Sequence, residues 1–180
     1  MKIGIDLDGT MFMTYEKMQE RYKARTGKEF NLELVLNVAH ARNLFDRIWF
    51  FTYFRSAQNY RNLETYPDAV YSIIKLREIY ETYFLTARPA LPKIQEMTRE
   101  SLKEYFDIPN PAQNIIFCKA EDKVQIAKNL DIKVLIEDNI NSGTIPSEIR
   151  IILLKRKWNK TINNSRVEPV DSWKEILDKF

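Results

Sequence analysis

Five short apolar runs recur along the chain, at 2–7, 83–86, 114–118, 133–136 and 149–154, and most lack a clean apolar–polar alternation. Strands that are apolar on both faces belong to a parallel sheet covered by helices on both sides. Between the runs the apolar spacing becomes helical. Val70, Ile73, Ile74 and Leu76 mark one face of a helix predicted over 68–80, with Pro67 as a first-turn residue. A second helix is predicted over 92–106, ending before Pro109, and a third over 121–129, with acidic residues in its first turn. The last runs over 172–180 and opens on the capping box Ser172-x-x-Glu175. Strand and helix alternating in this way implies an α/β fold with right-handed crossovers.

One interval breaks the rhythm. From 11 to about 61 only helix-like patterns occur, the first ending near Gly27, and no convincing strand is present. That length exceeds an ordinary crossover and reads as a small helical insertion over the C-terminal end of the first strand, where open α/β sheets bind ligands. It carries an aromatic run, Trp49, Phe50, Phe51, Tyr53 and Phe54, with Arg55 behind it. Helical packing accounts for most of these rings. One or two of them, with Trp49, Phe50 and Phe54 the candidates, are expected to face the cleft and stack on a base or another apolar leaving group.

Composition narrows the possibilities. With 180 residues, 44% of them hydrophobic, the chain can bury a full core as one domain with an insertion. The net charge of +3 is too small to identify a nucleic-acid binder, although Lys155-Arg156-Lys157 and Lys160 form a local basic cluster. The single cysteine, Cys118, excludes an intrachain disulfide, and the single histidine, His40, excludes a histidine-rich metal site. There is no Gly-rich GxxxxGK[ST] phosphate loop, and no apolar run approaches the ~18 residues that span a bilayer. The reading is of a soluble, cytoplasmic protein without a membrane partner.

The candidate chemistry lies at the ends of the apolar runs. Asp6-Leu7-Asp8-Gly9-Thr10 closes the first; side chains two apart on a strand share a face, so it brings two carboxylates together. Two close carboxylates repel unless a proton or cation intervenes, which points to a magnesium-type cation with oxygen ligands. The second run ends in Thr86-Ala87-Arg88, a hydroxyl donor and a guanidinium able to bind a phosphoryl group through two parallel hydrogen bonds. A lysine follows the third, either Lys123 or Lys119, and the fourth ends in the acidic pair Glu137-Asp138. All four ends would open on the same edge of the sheet.

In that order these motifs resemble the haloacid dehalogenase-like phosphatase superfamily across nearly the whole chain. The stretch from Asn59 to Ala69 and the tail residues Arg156-Lys157-Trp158-Asn159, Arg166-Val167 and Ser172-Trp173 resemble its 5′(3′)-deoxyribonucleotidase branch and bacterial nucleotidases. The resemblance implies a Rossmann-like core over 1–12 and 62–180 and a helical type 1 cap over 13–61. It also implies a Mg2+-dependent phosphomonoesterase acting on a nucleoside monophosphate, with Asp6 as nucleophile and Asp8 as general acid and base. Thr86 and Lys123 would hold the phosphoryl oxygens, Lys123 being preferred over Lys119 because a helix start after the third strand suits the family pattern. Asp6, Asp8 (through its carbonyl) and Asp138 would hold the metal, with Glu137 in the outer shell or as an alternative ligand.

Three other functions compete. Thr86-Ala87-Arg88 is also similar to the Ser-Gly-Arg of polynucleotide 3′-phosphatases, but a closing cap favours small substrates over a nucleic-acid polymer. A phosphatase of another small metabolite fits the same motifs. A catalytically silent binding module could share the fold, and the complete motif set argues against it. The sequence leaves the oligomeric state open.

Overall fold

A computed structural model describes residues 1–31, 44–106, 114–140, 145–160, 162 and 164–180. Its sheet has six parallel strands: β1 (Lys2–Ile5), β2 (Glu81–Thr86), β3 (Ile115–Phe117), β4 (Ile132–Glu137), β5 (Arg150–Leu154) and β6 (Val167–Val170). Their spatial order is β3-β2-β1-β4-β5-β6. The first strand is therefore central, with Ile5 level with Phe84 of β2 on one side and with Ile136 of β4 on the other.

The helices are α1 (Thr14–Thr26), α2 (Leu44–Phe54), α3 (Ala69–Ile79), α4 (Pro92–Phe106), α5 (Lys123–Asn129) and α6 (Trp173–Leu177). The first two follow β1 directly, as expected of a helical insertion. Residues 32–43, with His40, lie outside the described residues, as does Pro109. Alternation along the strands separates two cores. Ile3, Ile5, Val134, Ile136 and Ile152 face Ile73, Leu76, Leu102 and Trp173, whereas Leu85, Leu135 and Ile151 face Val124 and Ala127 of α5. Gly4 lies between the isoleucines of β1, and a Cβ there would sit 2.9 Å from Leu135 Cδ1.

The structure departs from the expected elements in four places. The first strand ends at Ile5, not Leu7, because the chain turns back: Met11 and Phe12 donate to the Leu7 carbonyl, and Gly9 donates to that of Phe12. The helix expected over 68–80 starts at Ala69, with Pro67 outside it and Asp68 in the left-handed region at φ 60°. The helix expected over 121–129 begins as a 3-10 turn, Ala120–Asp122, before α5 proper. The strand β6 had no sequence signal, since Pro169 cannot donate to a ladder and Glu168 interrupts the apolar pattern. It is an edge strand, tied down by Arg150 and Lys179 on Glu168.

The tail anchors the first strand's turn. Ser172 caps α6 by accepting the Glu175 N–H, while Glu175 accepts the N–H of Asp171, one residue before the partner a standard capping box would use. The Trp173 indole, buried in the core, donates to the Thr10 carbonyl at 3.0 Å. Trp173→Ala should therefore cost about 3–5 kcal/mol in chemical denaturation. A loss below about 1 kcal/mol would show that the tail does not brace the turn.

Candidate active site

Centrality of β1 decides where the acids meet. Asp6 extends the pairing by donating its N–H to the Ile136 carbonyl at 2.9 Å, which sets it beside the end of β4. There Glu137 closes the strand and Asp138 follows it, and all three carboxylates are buried. Each offers an oxygen within 4.8 Å of the others. Lys123, first residue of α5, reaches in between them: its ammonium donates to Asp6 Oδ1 and, at 3.0 Å, to Glu137 Oε1. Lys119, the other lysine considered, is exposed.

Asp8 is held differently. Arg88 Nε and Nη2 donate to its two oxygens, both at 2.8 Å, and Thr14 Oγ1 donates to Oδ1. The remaining guanidinium nitrogen, Nη1, donates to Thr98 Oγ1 at 3.1 Å, and the guanidinium lies 4.4 Å from the Tyr60 ring centroid. The sequence leads one to expect this parallel pair of hydrogen bonds on a phosphoryl group; here the pair is made to Asp8. That fork is committed to Asp8, and its side chain is 0% exposed. Thr86 is fully buried at the end of β2, its Oγ1 accepting the Arg88 N–H at 3.2 Å.

A cavity of about 300 Å3 opens beside these groups, and Thr86 is not among the residues that line it. Asp6, Asp8, Arg88, Lys123, Glu137 and Asp138 all border it, and Phe50 and Phe54 of α2 face it, joined by Phe51. Trp49 does not border it. Instead its ring packs edge-on against Tyr22 at 5.6 Å under the Arg25 guanidinium, inside the helical insertion, so packing within the insertion claims that candidate.

Several contributors carried no sequence signal for their role. Trp158 Nε1 donates to Asp138 Oδ2 at 2.6 Å, Asn159 Nδ2 donates to the Asp138 carbonyl at 2.7 Å, and Thr10 Oγ1 donates to Oδ1 at 3.4 Å. Tyr15 also borders the cavity, with its ring edge-on to Trp158. Trp158 and Asn159 stand among tail residues that resemble a family pattern, and only the fold brings them to the acidic pair. Gly9 has φ 86°, and a Cβ there would lie 2.3 Å from Asp138 Oδ2, so a larger residue would both strain the turn and strike the carboxylate.

The electrostatics are those of several acids buried together. Burial raises the pKa of Asp6; Lys123 opposes this and Asp8 adds to it. Glu137 is raised well above its usual range by burial, again opposed by Lys123 and reinforced by Asp6. Asp138 is pushed up to about 7 by burial and, next, by Asp6. Burial would lower Lys123, but the carboxylates of Asp6 and Glu137 overrule it and keep the ammonium charged. Burial and then Asp138 raise the Tyr15 phenol, which stays protonated. Four carboxylates thus face two cations, both already paired. A hard divalent cation with oxygen ligands fits this donor set.

Comparison with known proteins supplies a family and a fold. The sequence profile of the family described as 5′ nucleotidase, deoxy (Pyrimidine), cytosolic type C protein matches residues 1–180. No curated protein sequence matches the chain. Among solved structures, a haloacid dehalogenase-like family hydrolase from Streptococcus pneumoniae is 13% identical with a TM-score of 0.58, covering 99% of this chain and 97% of that one. A haloacid dehalogenase-like family hydrolase from Xanthomonas campestris is 12% identical with a TM-score of 0.57, covering 99% and 93%. A mutant CbbY from Rhodobacter sphaeroides, in complex with xylulose-1,5-bisphosphate, is 15% identical with a TM-score of 0.57, covering 97% and 95%. At these identities the likeness is one of fold.

The raised pKa of Asp138 has a sign that can be checked. The folded protein holds this proton more tightly than the unfolded chain, so the stability it contributes is complete below about pH 4 and is lost as pH rises towards 7. A cation among the acids reverses that loss. Mg2+ should therefore raise the thermal midpoint more at pH 7.5 than at pH 5. An increment that does not depend on pH, or none, would show that these acids do not share a metal.

Proposed function

The chain belongs to the 5′ nucleotidase, deoxy (pyrimidine), cytosolic type C family, and from that premise we propose that it is a Mg2+-dependent hydrolase of a nucleoside monophosphate. The observation that carries the reading is the buried cluster of Asp6, Lys123, Glu137 and Asp138 at the C-terminal edge of the central strands. It joins a potential nucleophile to a cation and a metal-binding donor set. In this reading residues 13–61 form a cap over a core of 1–12 and 62–180, and the enzyme works in the cytoplasm.

A carboxylate oxygen of Asp6 attacks phosphorus, the bond to the leaving oxygen breaks, and an aspartyl-phosphate forms on Asp6. In its protonated form Asp8 gives that proton to the leaving alkoxide, and it regains one from the water that attacks the aspartyl-phosphate and frees inorganic phosphate. Arg88 and Thr14 fix the orientation of Asp8 for both transfers. Lys123 offsets the negative charge of Asp6 and, with Thr86, holds the phosphoryl oxygens. When bound, Mg2+ would be held by Asp6, Asp138 and the carbonyl of Asp8, with Glu137 in reach, and supplies the charge that lets a carboxylate approach a phosphate.

Phe50 and Phe54, with Phe51 and Tyr15, offer apolar faces to the leaving nucleoside. The polynucleotide 3′-phosphatase reading is weakened, because both hydrogen bonds of the Arg88 fork go to Asp8.

Phosphate release should be assayed across nucleoside monophosphates, sugar phosphates and 3′-phosphorylated oligonucleotides, with Mg2+ and with a chelator. The Asp6→Asn variant should lose at least about a thousandfold in turnover, the scale seen when a nucleophile is deleted. Residual activity above a tenth, or full activity in chelator, would overturn the mechanism.

A further inference from the structure

Helix α1 borders two cavities. Tyr15 faces the acid-lined one, whereas Glu16 and Gln19 line a second, of about 600 Å3, whose lining shares no residue with the first. The opposite wall is the turn after β5, where Lys155, Arg156, Lys157 and Lys160 converge over a base that includes Leu153 and Pro169. Four cations there face the acids Glu16 and Asp171, and Lys155 is already paired with Asp171 at 2.7 Å. Lys157 and Lys160 are exposed and make no ion pair among the described residues.

Arg156 is fixed in this wall. Its Nε donates to the Gly9 carbonyl at 2.7 Å, its Nη1 to the Lys155 carbonyl at 3.1 Å, and its guanidinium lies 3.7 Å from the Tyr66 ring centroid. The third nitrogen, Nη2, is buried with no hydrogen-bond partner among the described residues. A buried donor with no acceptor is uncompensated, and an incoming oxyanion completes it in competition with Glu16 Oε2, which lines the same cavity and is likewise buried without a hydrogen-bond partner among the described residues. Immobilised arginine with two unpaired lysines beside it is a phosphate-binding combination. The volume exceeds that of a lone phosphate, and the apolar base suits an attached organic group.

We propose that this cavity is a second ligand site, taking a phosphate-bearing small molecule of the nucleoside triphosphate class between α1 and the turn after β5. Its place is close to the catalytic edge: the same turn carries Trp158 and Asn159, which hold Asp138, and Arg156, which holds Gly9. The proposal stands apart from the phosphatase reading, because binding can be measured without turnover.

Without metal, the four carboxylates of the first cavity repel a polyanion, so calorimetric titration of the metal-free protein with ATP in excess chelator reads the second cavity. One ATP should bind per chain. The Lys157→Glu/Lys160→Glu double variant, altered only at exposed positions, should bind at least tenfold more weakly at an unchanged thermal midpoint. Asp6→Asn should bind as the parent does. No binding at millimolar ATP, or equal binding by the double variant, would overturn the proposal. So would binding of a single-stranded oligonucleotide where ATP fails, which would give the surface to a polymer.

Discussion

Repulsion among buried carboxylates is the constraint around which the molecule is arranged. Asp6, Asp8, Glu137 and Asp138 are all buried within one small cavity, and burial is the largest cause of the raised pKa of Asp6, Glu137 and Asp138. Leaving such groups unpaired would be costly, and the chain answers with two cations that have separate duties. Lys123 spans Asp6 and Glu137, while Arg88 closes both oxygens of Asp8. Asp138 receives neutral donors, an indole and a hydroxyl, and so keeps its appetite for a positive charge.

The sheet makes this crowding possible. A parallel sheet sends the ends of all its strands to one edge, and a central β1 places its own acids between the ends of β2 and β4. The turn that follows must then be tight and must leave room. Gly9 meets both needs, and Arg156 and Trp173 grip the carbonyls of Gly9 and Thr10 from the far end of the chain. The acids and the turn of the first ten positions are thus braced by residues beyond position 150.

Much of this was readable in the chain because it is local. The apolar runs located five of six strands, and the short motifs at their ends named Asp6, Asp8, Lys123, Glu137 and Asp138, which the fold brings together. What stayed hidden depended on choices between partners far apart in sequence. Arg88 next to Thr86 looks like a phosphate ligand until Asp8 is seen to occupy its fork. Trp49 and Phe50 are neighbours in one aromatic run, yet only Phe50 borders the cavity, since a helix turns adjacent side chains about 100° apart. Trp158 had no legible role because an indole donor to a carboxylate 20 positions away leaves no periodic trace. The strand β6 escaped for the opposite reason: its ladder tolerates proline and charge at an edge, so its composition resembles a loop.

The bond from Trp158 to Asp138 has an optical consequence. An excited indole is sensitive to the field along its ring, and this one shares its single N–H with a carboxylate whose charge changes on protonation or on meeting a cation. Of the three tryptophans, Trp173 is sealed in the core and Trp49 lies within the helical insertion, so neither touches the acids. The protein therefore carries its own chromophore wired to the acid-lined edge, and its ultraviolet emission is a native gauge of that carboxylate's charge.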